Sequence, residues 1–443
     1  MSTNPLRYPR ADAILLMLSL VAAGCQPSAV ADGTGEGPAA SGTPVVGEWP
    51  GYRGPLRDGI APDQDLLREW PSGGPEVLWK VPLGEGYSGL SVSGGRLFTL
   101  FSRDGDERAA AFDAATGKEL WSVRLDSAYK NQFGNGPRST PTVDGDLVYV
   151  LGAQGQLHAL KVSSGESVWH HDLVREYGAR IPTWGIATSP LVEGDLLLVD
   201  VGGRDGYSLV AFRKGSGEVA WKAADNPLDG AGYSAPIAFE VGGVRQVLFL
   251  IASKLVAVAP AEGTILWSFP WSTEYNVNAA TPIFVPPNRV FVSTGYGTGA
   301  SLLQVERTDQ GGFRAQELWH NPSMRNQFSS SVRLGDFLYG FDNRTLKCLR
   351  VDTGEEMWKE RGLGHGSLLA ADGLLFVLGE RGELVLVEAS PEAFQEKARV
   401  QLLHTKTWTV PTLVDGRLFV RDEEQLVSLR VSPTTQAPAP ATS

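Results

Sequence analysis

Eight short segments of this 443-residue chain carry most of its side chains suited to recognition. In order they are GEGYSG with Tyr87, FGNGPRST with Arg138, IPTWGIATSP with Trp184, GAGYSAP with Tyr233, YNVNAATP with Asn276 and Asn278, RNQFSSS with Asn326 and Gln327, GHGSLL with His365, and TKTWTVP with Trp408. Aromatic faces stack on apolar or planar groups, an arginine presents a fork of donors, and amides and imidazole offer neutral hydrogen bonds. Tyr87, Arg138, Trp184, Tyr233, Asn278, Asn326, His365 and Trp408 are therefore the candidate ligand-binding residues; the same side chains would also serve to fill a channel and satisfy its polar groups. Reactive signatures are missing. The six histidines form no HExxH, and His170 and His171, neighbours on a strand, point to opposite faces. The glycines from Gly295 to Gly299 lack the strand-to-helix setting of a phosphate loop, and no GxSxG elbow stands out.

The elements that position these segments repeat. AFDAATGKELW ends at Trp121, ALKVSSGESVW at Trp169, AFRKGSGEVAW at Trp221, AVAPAEGTILW at Trp267 and CLRVDTGEEMW at Trp358, with looser copies ending at Trp79 and Trp319. Successive tryptophans lie roughly 40 to 52 residues apart, the period of a four-stranded propeller blade. Between them run short apolar strands such as LVYVLG, LLLVDV and LFVLGE, bounded by DG, EGD and GG turns, with no long helical period. Inner strands are expected to begin near Ser88, Ser139, Thr188, Ser234, Ala280, Ser329, Gly366 and Thr409, which makes eight blades and an all-β fold. The eighth unit stops after three strands, while VLWKVPL around Trp79 has no inner strands before it, so the two ends are expected to complete one blade and close the ring. The tryptophans are expected to pack between neighbouring blades. Lacking both the glycine turn and the tryptophan after LVLVEASPEAFQEKARVQLL, the seventh unit is expected to form the irregular blade. The segments named first then become the loops that ring the channel mouth.

The AxDxxTGKxxW units, with the opening WPGYRGPLRDG from Trp49 to Gly59, resemble the pyrroloquinoline-quinone (PQQ)-like repeat family of eight-bladed propellers. The resemblance covers about Trp49 to Val431. It implies the fold but not one function, because the family includes quinoprotein alcohol dehydrogenases and also the non-enzymatic propeller lipoprotein of the outer-membrane β-barrel assembly machinery. The WPGYRGPLRDG opening is more similar to propellers of unassigned function. Dehydrogenase chemistry requires a hard cation such as calcium on the quinone, oxygen ligands for it, and an aspartate base. Near the mouth the acids Glu85, Glu176, Asp229 and Glu274 are scattered over different units, there is no vicinal cysteine pair or CxxCH site, and the chain is shorter than those dehydrogenases. The expectation is no cofactor and a non-catalytic scaffold that binds a protein, peptide or small ligand at the mouth. A PQQ-dependent alcohol dehydrogenase with calcium is the alternative.

The ends give the location. Arg7 and Arg10 precede an apolar stretch from Ala13 to Ala23 and then Gly24-Cys25, which reads as a lipoprotein signal peptide over residues 1–24 with Cys25 as the lipidated residue. Residues 25–48 and 432–443, rich in Gly, Ala, Ser, Thr and Pro, read as a tether and a tail on either side of a propeller spanning 49–431. A monomer anchored by acyl chains in the bacterial envelope, at the outer membrane, facing the periplasm and meeting a periplasmic or envelope partner, is the expected arrangement. The formal net charge of −11 argues against nucleic acid and anionic lipid as partners. Cys348, in a third strand, reads as a buried free thiol.

Overall fold

The computed structural model describes residues 47–224 and 230–433. The expected signal peptide, Cys25, nearly all of the tether and tail, and Asp229 lie outside the described residues. Eight four-stranded antiparallel sheets form the blades of a propeller, each in simple meander order except the last. The first blade shows the pattern: Ser91–Ser93 lines the channel, Arg96–Arg103 and Asp106–Asp113 follow, and Glu119–Ser127 is outermost. In the eighth, Thr412–Val414, Arg417–Arg421 and Gln425–Arg430 are completed by N-terminal Glu76–Pro82, antiparallel to Gln425–Arg430, so the ring closes as the sequence implies. Among the described residues the only α-helix is the five-residue Leu173–Tyr177.

Each inner strand begins one to three residues after its expected start, because the preceding residues bond sideways rather than within their own sheet. The hydroxyls of Ser88, Thr188, Ser234 and Ser367 donate to the carbonyls of Ser139, Ser234, Ala280 and Thr409, each in the next blade. These bonds stitch neighbouring blades together where they crowd the axis and satisfy groups that are buried there.

On the outer strands the tryptophan follows a β-bulge and lies against the next blade. Trp79, Trp121, Trp169, Trp221 and Trp319 press on Gly117, Gly165, Gly217, Gly263 and Gly354, the glycines of the following third-to-fourth-strand turns, all with φ between 68° and 78°. In those five pairs the indole N–H also donates to a carbonyl of that next blade, that of Ala114, Val162, Lys214, Pro260 or Val351. A turn that needs positive φ and admits no Cβ thus becomes the socket for a ring.

The seventh blade departs from expectation. Its outer strand, Glu396–Gln401, is regular and carries the same bulge as the others, with Ala398 opposite Leu386 where a tryptophan would stand. The physical reason lies in its neighbour: the third and fourth strands of the eighth blade come from opposite ends of the chain, so no hairpin turn is there to receive an indole. Gly74 occupies that place instead and packs on Val400.

The channel is closed from within by the opening segment. Trp49 pairs with Val92 of the first blade, Pro50 accepts from Val143 of the second, and Gly59 and Ala61 bracket Ala370 of the seventh. Arg53 donates to the Ser331 carbonyl, and Arg57 donates to the carbonyls of Ser189, Pro190 and Pro236 and to Thr142 Oγ1, so one guanidinium ties the second, third and fourth blades. Both arginines are buried, and burial pushes Arg57 down to about 9.

Candidate functional site

Above this plug the mouth loops enclose a blind cavity of about 560 Å³, with Tyr52 of the plug contributing to its lining. Two aromatic groups line it. In one, Trp184 meets Tyr233 at 5.7 Å between ring centroids, stacks on Tyr296 at 6.4 Å and takes the edge of Phe133 at 6.2 Å. In the other, Trp408 meets Tyr87 at 5.2 Å and Phe328 at 4.8 Å, and Phe328 lies 5.5 Å from His365. Arg138 sits with its guanidinium carbon 5.6 Å from the Tyr87 ring centre and 5.1 Å from that of Tyr129, a cation–π arrangement. Two of its nitrogens are held by the carbonyls of Gly134 and Gly136 in its own loop.

Six of the candidate residues therefore line this one cavity: Tyr87, Arg138, Trp184, Tyr233, His365 and Trp408, all half-buried. Asn278 and Asn326 do not join them. The Asn278 side chain is fully buried and donates to the carbonyls of Ile251, Ala252 and Trp271, pinning a turn of the fourth blade; Asn326 donates to the Phe341 carbonyl and accepts from Ser331. Their loops reach the mouth, but their side chains fold back into backbone that needs donors. Unread in the sequence were Tyr52, Phe133, Tyr296, Phe328, Arg344 and Glu380, which also line the cavity. Glu380 positions its neighbours: it accepts from Trp408 Nε1 at 3.1 Å and from the His365 backbone N–H at 3.3 Å. Its only sequence signal was a carboxylate just past a second strand.

A second carboxylate holds a mouth loop from behind. Asp200, buried at the end of Leu196–Asp200, accepts from the Gly232 N–H at 2.7 Å and so fixes the loop that carries Tyr233. Desolvation pushes its carboxyl up to about 7 from an ordinary 3.8, outweighing the backbone N–H bonds that oppose it. The folded chain then holds this proton more tightly than the unfolded one. Its cost is absent below the unfolded value, grows as pH rises towards 7, and amounts to at most about 4 kcal/mol above that. Asp200→Asn keeps an acceptor for Gly232 and removes the charge, so urea midpoints should show the variant gaining on wild type between pH 5 and pH 8. Parallel pH profiles would refute the assignment.

The fold raises the question of a quinone with calcium, and the donor set answers it. Among the described residues Glu380 is the one carboxylate in the lining, and both its oxygens are engaged. Glu85, Glu176 and Glu274 do not line the cavity; Glu85 is bound to Lys130 and Asn135, and Glu176 to His171. No group of three or more His, Cys, Asp or Glu among the described residues is placed to hold a metal ion. The described residues at the mouth do not fit the cation and base that quinone chemistry requires.

Three overlapping matches to the family model described as outer membrane protein assembly factor BamB span residues 71–181, 105–360 and 343–435. An outer membrane protein assembly factor BamB of Shewanella oneidensis is 25% identical over 367 residues, 79% of this chain and 77% of that protein. A 1-butanol dehydrogenase (cytochrome c) of Thauera butanivorans is 26% identical over 298 residues, and the matched region spans only 40% of the dehydrogenase. Among solved structures, BamB from Moraxella catarrhalis superposes with a TM-score of 0.55 at 14% identity, covering 82% of this chain and 99% of that one. Quinohemoprotein alcohol dehydrogenase ADHIIG from Pseudomonas putida HK5 gives 0.61 at 13% identity, with 90% and 82% covered. At such identities the solved structures share the fold.

Proposed function

The chain belongs to the family described as outer membrane protein assembly factor BamB, and from that premise we propose that it is a lipid-anchored, non-catalytic propeller scaffold for outer membrane protein assembly, facing the periplasm. The observation that carries this reading is the mouth itself: a cavity walled by tryptophan, tyrosine and phenylalanine, in which the single carboxylate among the described residues is spent on holding Trp408. Aromatic side chains at a concave, partly dry site are anchors for a protein partner rather than reagents. Phe133, Ile181 and Tyr275 extend this apolar character outward, being 50%, 41% and 61% exposed on the loops that lead into the second, third and fifth blades. A polypeptide segment laid across the face would set an apolar side chain between the Trp184 and Trp408 groups and leave its backbone to the polar rim. The quinone-dependent alternative has no support in the donor set of the described residues.

Two requirements follow, an anchor and a mouth, and one complementation experiment reads both. In cells lacking the gene, the wild-type chain should restore the level of β-barrel proteins in the outer membrane. Cys25→Ser should fail to take up labelled palmitate and fail to restore that level. Trp184→Ala/Trp408→Ala should be lipidated and folded yet restore it poorly, since losing two interface anchors of this kind costs about 2 kcal/mol or more each. Full restoration by the double tryptophan variant would remove the mouth from the function, and full restoration by Cys25→Ser would remove the anchor.

A further inference from the structure

Beside the aromatic cavity lies a second depression of about 320 Å³, lined by Arg344, Thr345, Arg361, Gly362, Gly364 and Arg381. Its three arginines come from separate places in the chain: Arg344 follows the second strand of the sixth blade, Phe337–Asp342, Arg361 follows that blade's outer strand, Glu356–Glu360, and Arg381 follows the second strand of the seventh, Leu374–Leu378. All three are exposed. Neither Arg361 nor Arg381 has an ion pair among the described residues, and Arg344 meets Glu380 at 3.4 Å, a long contact for a charge-assisted bond. Acids outnumber bases in this chain by 50 to 39, so three arginines that converge with one carboxylate between them run against its composition. Converging like charges repel one another unless an anion joins them. Arg344 also lines the aromatic cavity, so the two depressions share a wall.

We propose that Arg344, Arg361 and Arg381 form an anion subsite for a phosphate monoester, and that the apolar or aromatic carrier of that phosphate extends past Arg344 into the cavity beside Trp408 and Phe328. A phosphate monoester carries close to two negative charges and three strong acceptor oxygens, which three guanidinium forks match better than they match a single carboxylate. Gly362 and Gly364 leave the floor without side chains. Gly364, at φ 64°, is required here, because a Cβ would come within 2.5 Å of the Glu380 carboxylate that holds Trp408. The subsite and the aromatic wall are in this way built on the same turn.

The test is binding of phenyl phosphate, methyl phosphate and inorganic phosphate to leader-free protein, followed by tryptophan fluorescence and calorimetry at low salt. Phenyl phosphate should bind saturably, and Arg361→Gln/Arg381→Gln should weaken it about tenfold or more, the usual effect of losing charge-assisted hydrogen bonds. Phenyl phosphate should also bind more tightly than methyl phosphate, and Trp408→Ala should erase that difference. Vesicles containing phosphatidic acid supply the other source of the same group. Capture of vesicles that depends on both arginines, with weak binding of the soluble esters, would assign the subsite to a lipid headgroup. The substituted arginines are exposed, and an unchanged circular dichroism melt confirms that the variant folds. Failure of every phosphate to bind, or binding that survives Arg361→Gln/Arg381→Gln, overturns the proposal.

Discussion

Arg57→Met is expected to lower the unfolding free energy by about 3 kcal/mol and to expose the segment around it to proteolysis. The guanidinium is buried and has no carboxylate partner; its stabilising role comes from distribution, since it satisfies carbonyls in the third and fourth blades and a hydroxyl in the second. Thr142 Oγ1 also donates to the Pro190 carbonyl at 2.7 Å, so that group keeps a partner when the arginine is gone. The Ser189 and Pro236 carbonyls lose their guanidinium donor, and an unsatisfied buried acceptor costs about 1–3 kcal/mol. Lysine is no substitute, because one ammonium on a flexible stem cannot reproduce a planar fork that spans three blades. In urea titrations the midpoint should fall for Arg57→Met and Arg57→Lys alike, and limited proteolysis should cut first between Trp49 and Ile60. Tyr52 would move with the segment, so the mouth cavity should change its tryptophan fluorescence before the blades melt. An unchanged midpoint, or first cleavage elsewhere, would show that the plug is ornamental to stability.

How far the sequence could be read follows from which interactions are local. Strand, turn and tryptophan recur within one unit, so blade number, four-stranded blades and ring closure through Trp79 were all legible. The seventh blade was misjudged because its missing tryptophan reflects the following blade, whose strands come from the two chain ends; no residue within LVLVEASPEAFQEKARVQLL signals that. The mouth loops were located correctly as a set, since each precedes an inner strand, and six of the eight chosen side chains line one cavity. Asn278 and Asn326 looked identical to them in sequence. What separates them is the carbonyls left unpaired at neighbouring turns, a property of three-dimensional backbone accounting. Tyr52, Arg53 and Arg57 were unreadable for a different reason: WPGYRGPLRDG has no period, and its role as a plug depends on reaching carbonyls about 130 to 280 residues away in sequence.

The interblade socket gives the sharpest quantitative expectation. Trp221 is 8% exposed on the outer strand of the third blade, and its indole donates at 2.8 Å to the Pro260 carbonyl in the fourth. Gly263, at φ 72°, lies so close beneath it that a Cβ would come within 2.5 Å of the ring. Trp221→Ala should cost about 3–5 kcal/mol, as removal of a large buried aromatic does. Gly263→Ala should cost about 2 kcal/mol or more, part from the left-handed backbone that a Cβ disfavours and part from collision with the ring. Only the first part is intrinsic to the turn. In the double variant the collision has no partner and the new methyl enters the vacated space, so the two costs should fall short of their sum by at least about 1 kcal/mol. Chemical denaturation of the four proteins in the cycle measures that coupling directly. Strict additivity would mean that the glycine answers only to its own turn and that the indole has room to spare. Coupling would mean that each blade's hairpin is shaped by its neighbour's tryptophan, so that the ring is held rigid at its circumference and the mouth loops inherit that rigidity.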